Sequence, residues 1–176
     1  MMKHEDIPKL AKYTRILVTG PQRSGTQIAG RIIARILDYE FHNWKTWSAN
    51  PAGITSFLTT KRVVWQNPSM VGAVPFLRAN GGDLGIVFVW RELADIHASE
   101  ERIGWTGHAQ EVAKMCMVPG CDASGFDIAK RKQEMWSYWA NRYPNLYTIP
   151  YQCLSADELW APKADRVGWL SDQTRG

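Results

Sequence analysis

The chain has 176 residues, of which 45% are apolar and 22% are charged, which suits one globular domain with its own core. Its net charge of +4 favours anionic ligands, but without a basic run or an RNA-binding aromatic signature we expect no nucleic-acid partner. No stretch approaches the roughly 20 apolar residues of a membrane span. The polar residues 1–12 lack a signal-peptide core, so we expect a cytoplasmic protein with no membrane partner.

The three cysteines form an odd-numbered set, which suits a reducing compartment. Cys116 and Cys121 lie close together with His108 upstream, so a zinc site is conceivable there. The sequence has no second paired-ligand motif that would complete such a site. We therefore expect free thiols, including Cys153, and no bound metal.

In chain order, a polar lead-in at residues 1–13 is predicted to precede a strand, a turn and a helix. Residues 15–19 form an apolar, β-branched run that ends at Gly-Pro and predicts a short buried strand. After the turn, apolar side chains recur every three or four residues up to residue 37, which predicts an amphipathic helix. These side chains are Ile28, Ile32, Ile33, Ile36 and Leu37.

The turn between this strand and helix, Gly20-Pro-Gln-Arg-Ser-Gly-Thr26, has the features of an anion site. A turn that leads into a helix presents unpaired N–H groups and the positive end of the helix dipole. Gly20 and Gly25 allow the backbone to curl around an anion. A nucleoside triphosphatase loop has lysine and a magnesium-binding hydroxyl after the second glycine, where this chain has Thr26 and Gln27. Because the cation, Arg23, lies inside the loop, we expect phosphate or sulfate binding without magnesium.

The rest of the chain alternates between predicted strands and helices, which indicates a three-layer α/β/α domain over residues 1–176 with a mainly parallel sheet. Further strands are predicted at residues 39–43, 62–66, 84–90 and 146–150, and the run at 84–90 is expected to be central. Helical segments are predicted at residues 54–60, 70–79, 93–102 and 127–143, with residues 130–132 facing solvent. Residues 104–125 are expected to be part loop and part short helix, and residues 157–176 a tail.

A second cationic position follows the strand at residues 84–90. Arg91 comes directly after this strand, where ligands of parallel sheets bind and where a triphosphatase commonly has an acidic residue for magnesium. Ser99 lies eight residues later, and an arginine fork with a serine hydroxyl suits one phosphate group. Equally open is a structural role, in which Arg91 pairs with Glu92 or Asp95 and Ser99 faces solvent.

Together, the loop and the sequence Arg91-Glu-Leu-Ala-Asp-Ile-His-Ala-Ser99 resemble the anion-binding motifs of sulfotransferases that use 3′-phosphoadenosine 5′-phosphosulfate (PAPS). That family has loops of the type P-K-S-G-T-T or G-x-P-R-S-G-T-T, and an arginine at a strand end followed by a serine eight residues later. Residues 146–154 are similar to the late strand and Y-E-D-L sequence of the family, with Tyr151 and Leu154 kept. The resemblance covers roughly residues 14–155.

This resemblance implies a P-loop sulfotransferase that moves a sulfuryl group from PAPS to a hydroxyl or amine acceptor without a metal. It implies that the loop grips the 5′-phosphosulfate through Gln22, Arg23, Ser24, Gly25, Thr26 and Gln27, and that Arg91 and Ser99 grip the 3′-phosphate. Arg23 would also stabilise the departing phosphate. The chain departs from the family in its short length, in the missing C-terminal R-K-G element, and in Gln66, which stands where a catalytic histidine is frequent.

A hydroxyl acceptor requires a general base, for which the sequence offers few candidates. His42 is our first choice because it follows the first helix at the carboxyl end of a predicted strand. Glu40 is the second, because the tyrosylprotein branch of the family carries a catalytic glutamate near this offset. A purely structural role of His42 stays open. Trp44 and Trp47 suit either a platform for adenine or an acceptor ring, or simple core packing.

Two other functions stay open on the sequence. A P-loop nucleotide or nucleoside kinase would require ATP and magnesium, against which Thr26, Gln27 and Arg91 argue. A degenerate, non-catalytic protein that binds a nucleotide or a partner is favoured by Gln66 and by the short chain. The sequence does not identify the acceptor, which can be a small molecule, a peptide or a glycan, and it does not give the oligomeric state.

Overall fold

The sheet at the centre of the molecule has five strands, all paired in parallel. The computed structural model describes residues 1–104 and 127–160. The strands are β1 Arg15–Thr19, β2 Glu40–Asn43, β3 Val63–Gln66, β4 Leu84–Trp90 and β5 Leu146–Pro150. Their spatial order is β2-β3-β1-β4-β5. The predicted parallel α/β sheet is confirmed, and its middle strand is β1, which leads into the loop at residues 20–26.

Helices cover both faces of this sheet. Helix α1 Thr26–Leu37 packs on one face with two 3₁₀ helices, His4–Lys12 and Tyr151–Ala156. On the other face lie α2 Pro51–Thr59, the 3₁₀ helix Pro68–Ala73 and α3 Val74–Asn80. Helix α4 Leu93–Arg102 follows β4 and contacts α5 Ile128–Ala140, which also packs on this second face. The predicted three-layer α/β/α arrangement is therefore confirmed.

Alternating strand residues build the two cores, as expected from the two-residue period of a strand. Ile16 and Val18 of β1 belong to the core under α1, whereas Leu17 belongs to the core under α3 and α5. All three side chains are 0% exposed. A central strand buried on both faces holds its carboxyl end, and the loop that follows, in a fixed position.

Several predicted segments differ from the structure at their ends. The expected lead-in at residues 1–13 contains a 3₁₀ helix, because Ile7 and Leu10 recur at the three-residue spacing of that helix and are both buried. Helix α2 begins before residue 54, since the Asn50 side chain caps it by accepting from the Gly53 N–H. Helix α5 ends at Ala140 instead of residue 143. The expectation for residues 104–125 lies outside the described residues.

The structure also bears on the expectations about membranes and metals. In residues 1–104 and 127–160, no helix has the length and apolar character needed to cross a bilayer. In the same part of the chain, no three His, Cys, Asp or Glu side chains are arranged to hold a metal ion. Cys153 is a half-buried free thiol, whereas His108, Cys116 and Cys121 lie outside the described residues.

Candidate anion-binding site

The loop between β1 and α1 lies at a point where the segments that follow neighbouring strands pack on opposite faces of the sheet. Helix α1 packs on one face, whereas the segment that follows β3, a neighbour of β1, packs on the other. The same holds for β4, the second neighbour, since the α4 that follows it contacts α5 on that other face. Divergence at neighbouring strand ends leaves a crevice outside the carboxyl edge, which is the usual ligand position in parallel sheets.

The loop backbone takes conformations that favour glycine. Gly20 has φ +147°, Gly25 has φ +90° and Arg23, between them, has φ +61°. A Cβ added to Gly20 would lie 2.9 Å from the carbonyl oxygen of Val89, so this position requires glycine. The first N–H of the helical ladder belongs to Ala29, which donates to the Gly25 carbonyl oxygen at 3.0 Å. The N–H groups before it lie at the positive end of the helix dipole and can bind an anion.

The two hydroxyl groups of the loop have different surroundings. Ser24 is 0% exposed, and its Oγ donates to the carbonyl oxygen of Pro21 at 2.7 Å. This hydroxyl therefore closes the loop. The hydroxyl of Thr26 accepts a hydrogen bond at 2.9 Å from Nε2 of Gln66, the last residue of β3. The Gln66 position, which lacks the base frequent in sulfotransferases, is thus joined directly to the loop.

The side chains of the two sequence motifs meet in one group, here called the arginine cluster and defined as Arg23, Arg91, Ser99 and Arg102. Nε of Arg23 donates to Oγ of Ser99 at 3.2 Å, and Nη2 of Arg102 donates to the same oxygen at 3.1 Å. Nη1 of Arg91 donates to the carbonyl oxygen of Arg23 at 2.6 Å. Ser99 is 3% exposed, so it does not face solvent as the structural alternative required.

The three arginines concentrate positive charge in this cluster, and the carboxylate of Glu100 is close enough to act on Arg23. None of the three arginines forms a salt bridge within residues 1–104 and 127–160, so Arg91 does not pair with Glu92 or Asp95. Partial burial, and then the charges of Arg102 and Arg91, lower the pKa of the Arg23 guanidinium. Nε of Arg91 is buried and has no acceptor among the described residues. A bound anion would supply an acceptor for this group and additional negative charge beside the three arginines.

Helix α5 adds two contacts that the sequence interpretation missed. Lys132 was expected to face solvent, and this is wrong: the residue is 0% exposed, and its Nζ donates to Oε1 of Gln22 in the loop at 2.6 Å. Gln133 donates from Nε2 to the carbonyl oxygen of Arg91 at 2.7 Å. Lys132 lies four residues from both Ile128 and Trp136, which are buried. That helical spacing was the available signal for its position.

Tyr151 connects the loop to the arginine cluster. The Arg91 guanidinium lies over its ring at 4.4 Å from the ring centroid, a cation–π arrangement. A Cβ added to Gly25 would lie 2.5 Å from the same ring, so the loop backbone and the tyrosine are in close contact. Tyr151 also packs edge-on against Trp160 at 4.7 Å. The 3₁₀ helix that begins at Tyr151 thus supports one side of the site.

The two predicted bases lie at the edge of the sheet. Strand β2, which carries both, is separated from β1 by β3. Nε2 of His42 is 2.8 Å from Oε1 of Glu40, and its ring stacks on Trp47 at 3.9 Å. Glu40 is exposed. Among the described residues, the contacts of His42 and Glu40 therefore do not include the loop or the arginine cluster.

No protein-family model matches this chain, and no curated protein matches it. Eight chains of solved structures do match. One of them is the crystal structure of a gluconokinase from Sinorhizobium meliloti 1021, which is 14% identical in sequence, with a TM-score of 0.46. The match covers 93% of this chain and 99% of that chain. At this identity and TM-score, the similarity assigns neither a family nor an activity.

Proposed function

We propose that this protein is a sulfotransferase that binds PAPS at the loop and the arginine cluster and transfers its sulfuryl group to a hydroxyl or amine acceptor. One observation carries the proposal: Arg23 of the loop donates to Ser99, and Arg91 donates to the backbone of Arg23. The two motifs that resemble the two ends of a PAPS site are therefore in direct contact. Guanidinium groups at such a junction suit a ligand with two neighbouring phosphoryl groups.

The groups present fit the two ends of this nucleotide. The loop N–H groups and the Thr26 hydroxyl would hold the 5′-phosphosulfate, as helix N-termini hold anions generally. Arg91 and Ser99 would hold the 3′-phosphate, and Nε of Arg91, which has no acceptor in the described part of the chain, is a cationic donor available for it. Arg102, which shares the Ser99 oxygen, would add a further positive charge beside that phosphate.

Sulfuryl transfer requires the acceptor atom to attack sulfur in line as the bond from sulfur to the bridging phosphate oxygen breaks. The electron pair of that bond stays on the departing 5′-phosphate, where negative charge increases. Arg23 would stabilise this charge, because fixed donors act most strongly where charge develops. The proposal assigns no side chain as general base, since the described contacts of His42 and Glu40 lie on the edge strand, and the proton of the acceptor passes to solvent.

The kinase alternative would need ligands for magnesium at the same edge of the sheet. The residue at the end of β3 is the amide Gln66, and the residue directly after β4 is Arg91. Neither is the hard anionic oxygen ligand that magnesium prefers. The residue types at the two strand ends next to β1 therefore favour a metal-free anion site.

Thermal unfolding of the full chain with nucleotides tests the proposal. We expect adenosine 3′,5′-bisphosphate to raise the melting temperature without magnesium, and adenosine 5′-monophosphate to raise it less, because ligand binding to the folded state adds stability. Stabilisation only by ATP with magnesium would overturn the proposal and support a kinase. No effect of any of these nucleotides would overturn it in favour of a protein that does not use a nucleotide.

A further inference from the structure

An amide side chain at the end of β3 contacts the final hydroxyl of the loop. Gln66 is 2% exposed and Thr26 is 5% exposed, and Nε2 of Gln66 lies 2.9 Å from Oγ1 of Thr26. Oε1 of the same amide is buried without a donor in the described part of the chain. Among the described residues, the hydrogen bond to Thr26 is thus the one that fixes the orientation of the Gln66 amide. Neither an amide nor a hydroxyl acts as an acid or a base at neutral pH, so the contact needs another explanation.

This bond restricts where the Thr26 hydroxyl can donate. A hydroxyl has one proton and two acceptor lone pairs, and the nitrogen of a side-chain amide only donates. Because Nε2 of Gln66 occupies a lone pair of Oγ1, the Oγ1 proton must point away from the amide. No acceptor for this proton is found among the hydrogen bonds of residues 1–104 and 127–160.

The direction left for the proton suits an anion. Thr26 is the first residue of α1, at the helix end whose N–H groups face the loop. An ionised phosphate or sulfate oxygen in that position accepts hydrogen bonds. Because the Gln66 amide already donates to the Thr26 hydroxyl, this hydroxyl can donate its own proton to the anion.

We propose that Gln66 is a positioning residue that directs the Thr26 hydroxyl proton toward the anion bound by the loop. This deepens the proposed function and rests on it only in requiring a bound anion. A glutamate at position 66 would have the opposite effect, because its carboxylate would accept the Thr26 proton and leave a lone pair facing the ligand. Gln66 thus has a role that an ionised carboxylate at this position could not perform.

A double-mutant cycle tests this proposal through the dissociation constant of adenosine 3′,5′-bisphosphate, measured by calorimetry. Thr26→Val removes one hydrogen bond to a charged group and should weaken binding about 10-fold. Gln66→Glu should weaken it about 100-fold, since it reverses the hydroxyl and adds a negative charge. The double variant should bind much better than the product of these losses, because no hydroxyl is left to reverse. If the affinity loss of the double variant equals the product of the two single losses, Gln66→Glu acts by charge repulsion alone and the proposal is overturned.

Further variants separate orientation from folding. Gln66→Met has a similar volume and no donor, so it should weaken binding several-fold with Thr26 present and have no effect in the Thr26→Val background. This second cycle decides the matter if Gln66→Glu fails to fold. Gln152→Glu adds the same charge at an exposed position and should change binding little. An equal loss in Gln152→Glu and Gln66→Glu would overturn the proposal.

Inorganic sulfate as a second ligand distinguishes the failure of this inference from the failure of the proposed function. If the wild type binds sulfate but not the bisphosphate, the proposed function fails and both cycles are measured with sulfate. If it binds the bisphosphate and the losses multiply, only the role of Gln66 fails. If it binds neither ligand, both proposals are overturned.

Discussion

The side chain of Arg91 makes its described contacts with the loop and with an aromatic ring, and none with a carboxylate. Its guanidinium donates to the Arg23 carbonyl oxygen and lies over Tyr151, while its Nε has no acceptor within residues 1–104 and 127–160. We expect Arg91→Ala to weaken adenosine 3′,5′-bisphosphate binding about 10- to 100-fold, because a charge-assisted hydrogen bond is lost. Arg62→Ala is the matched control, since Arg62 is exposed and precedes β3 at the amino edge. Equal affinities of the wild type and Arg91→Ala in calorimetry would contradict the assignment.

Two features disfavour any side chain at Gly25, its backbone conformation and its contact with Tyr151. At φ +90° an alanine would be strained, and its Cβ would also lie 2.5 Å from the Tyr151 ring. Gly82, at φ +53° with nothing within 4 Å, would have the backbone strain alone. We expect Gly82→Ala to lower the free energy of unfolding by about 1 kcal/mol and Gly25→Ala by about 2–4 kcal/mol. Urea unfolding measures both, and equal losses would show that the contact with Tyr151 is unimportant.

At the scale of elements, the features predicted best from the sequence are the strands and helices that depend on neighbouring residues in the chain. Strand β4 and helix α4 begin and end where expected, because an uninterrupted apolar run and a helical pattern are local signals. The position of Arg91 after a parallel strand predicted that it lies at the same edge of the sheet as the loop, whereas its shared role with Ser99 was implied by the resemblance. Arg102 and Lys132 could not be found in this way, since they reach the loop only through the packing of α4 and α5 against the sheet.

Helix α5 contacts the loop through Lys132, and this contact can be tested against a neighbour on the same helix. In Lys132→Met, the half-buried Gln22 loses its hydrogen bond to a buried ammonium group, which should lower the free energy of unfolding by about 1–3 kcal/mol. Lys130→Met changes an exposed side chain and should alter stability by less than about 0.5 kcal/mol. Chemical unfolding of the two variants gives the comparison. Similar values for both would mean that the loop contact of Lys132 contributes little.

At the scale of the whole molecule, Asp157 joins three separate parts of the chain. Its side chain is 0% exposed, and its Oδ2 accepts from Arg35 of α1 at 2.7 Å and lies 2.9 Å from Nε2 of His4. Its Oδ1 accepts from the Leu159 N–H at 2.8 Å. The N-terminal 3₁₀ helix, the helix that begins at the loop and the segment after Tyr151–Ala156 are thus fixed to one carboxylate. The helix that follows the loop at residues 20–26 is supported by long-range contacts of this kind.

The ionisation of Asp157 should make the stability of this arrangement depend on pH. Burial opposes ionisation, but the hydrogen bonds from His4, Leu159 and Arg35 outweigh it and lower the pKa of Asp157 below its ordinary value of 3.8. A carboxyl whose pKa is lower in the folded state stabilises the fold above the unfolded pKa, and this contribution is lost as pH falls through the folded pKa.

We therefore expect Asp157→Asn to be less stable than the wild type at neutral pH, and the difference to shrink below about pH 4. Urea unfolding from about pH 7 to pH 2 measures this difference directly. Asp38→Asn is the matched control, because the Asp38 side chain is 99% exposed although it also pairs with an arginine. A stability difference between the wild type and Asp157→Asn that stayed constant over this range would show that the ionised carboxylate does not hold the three segments together.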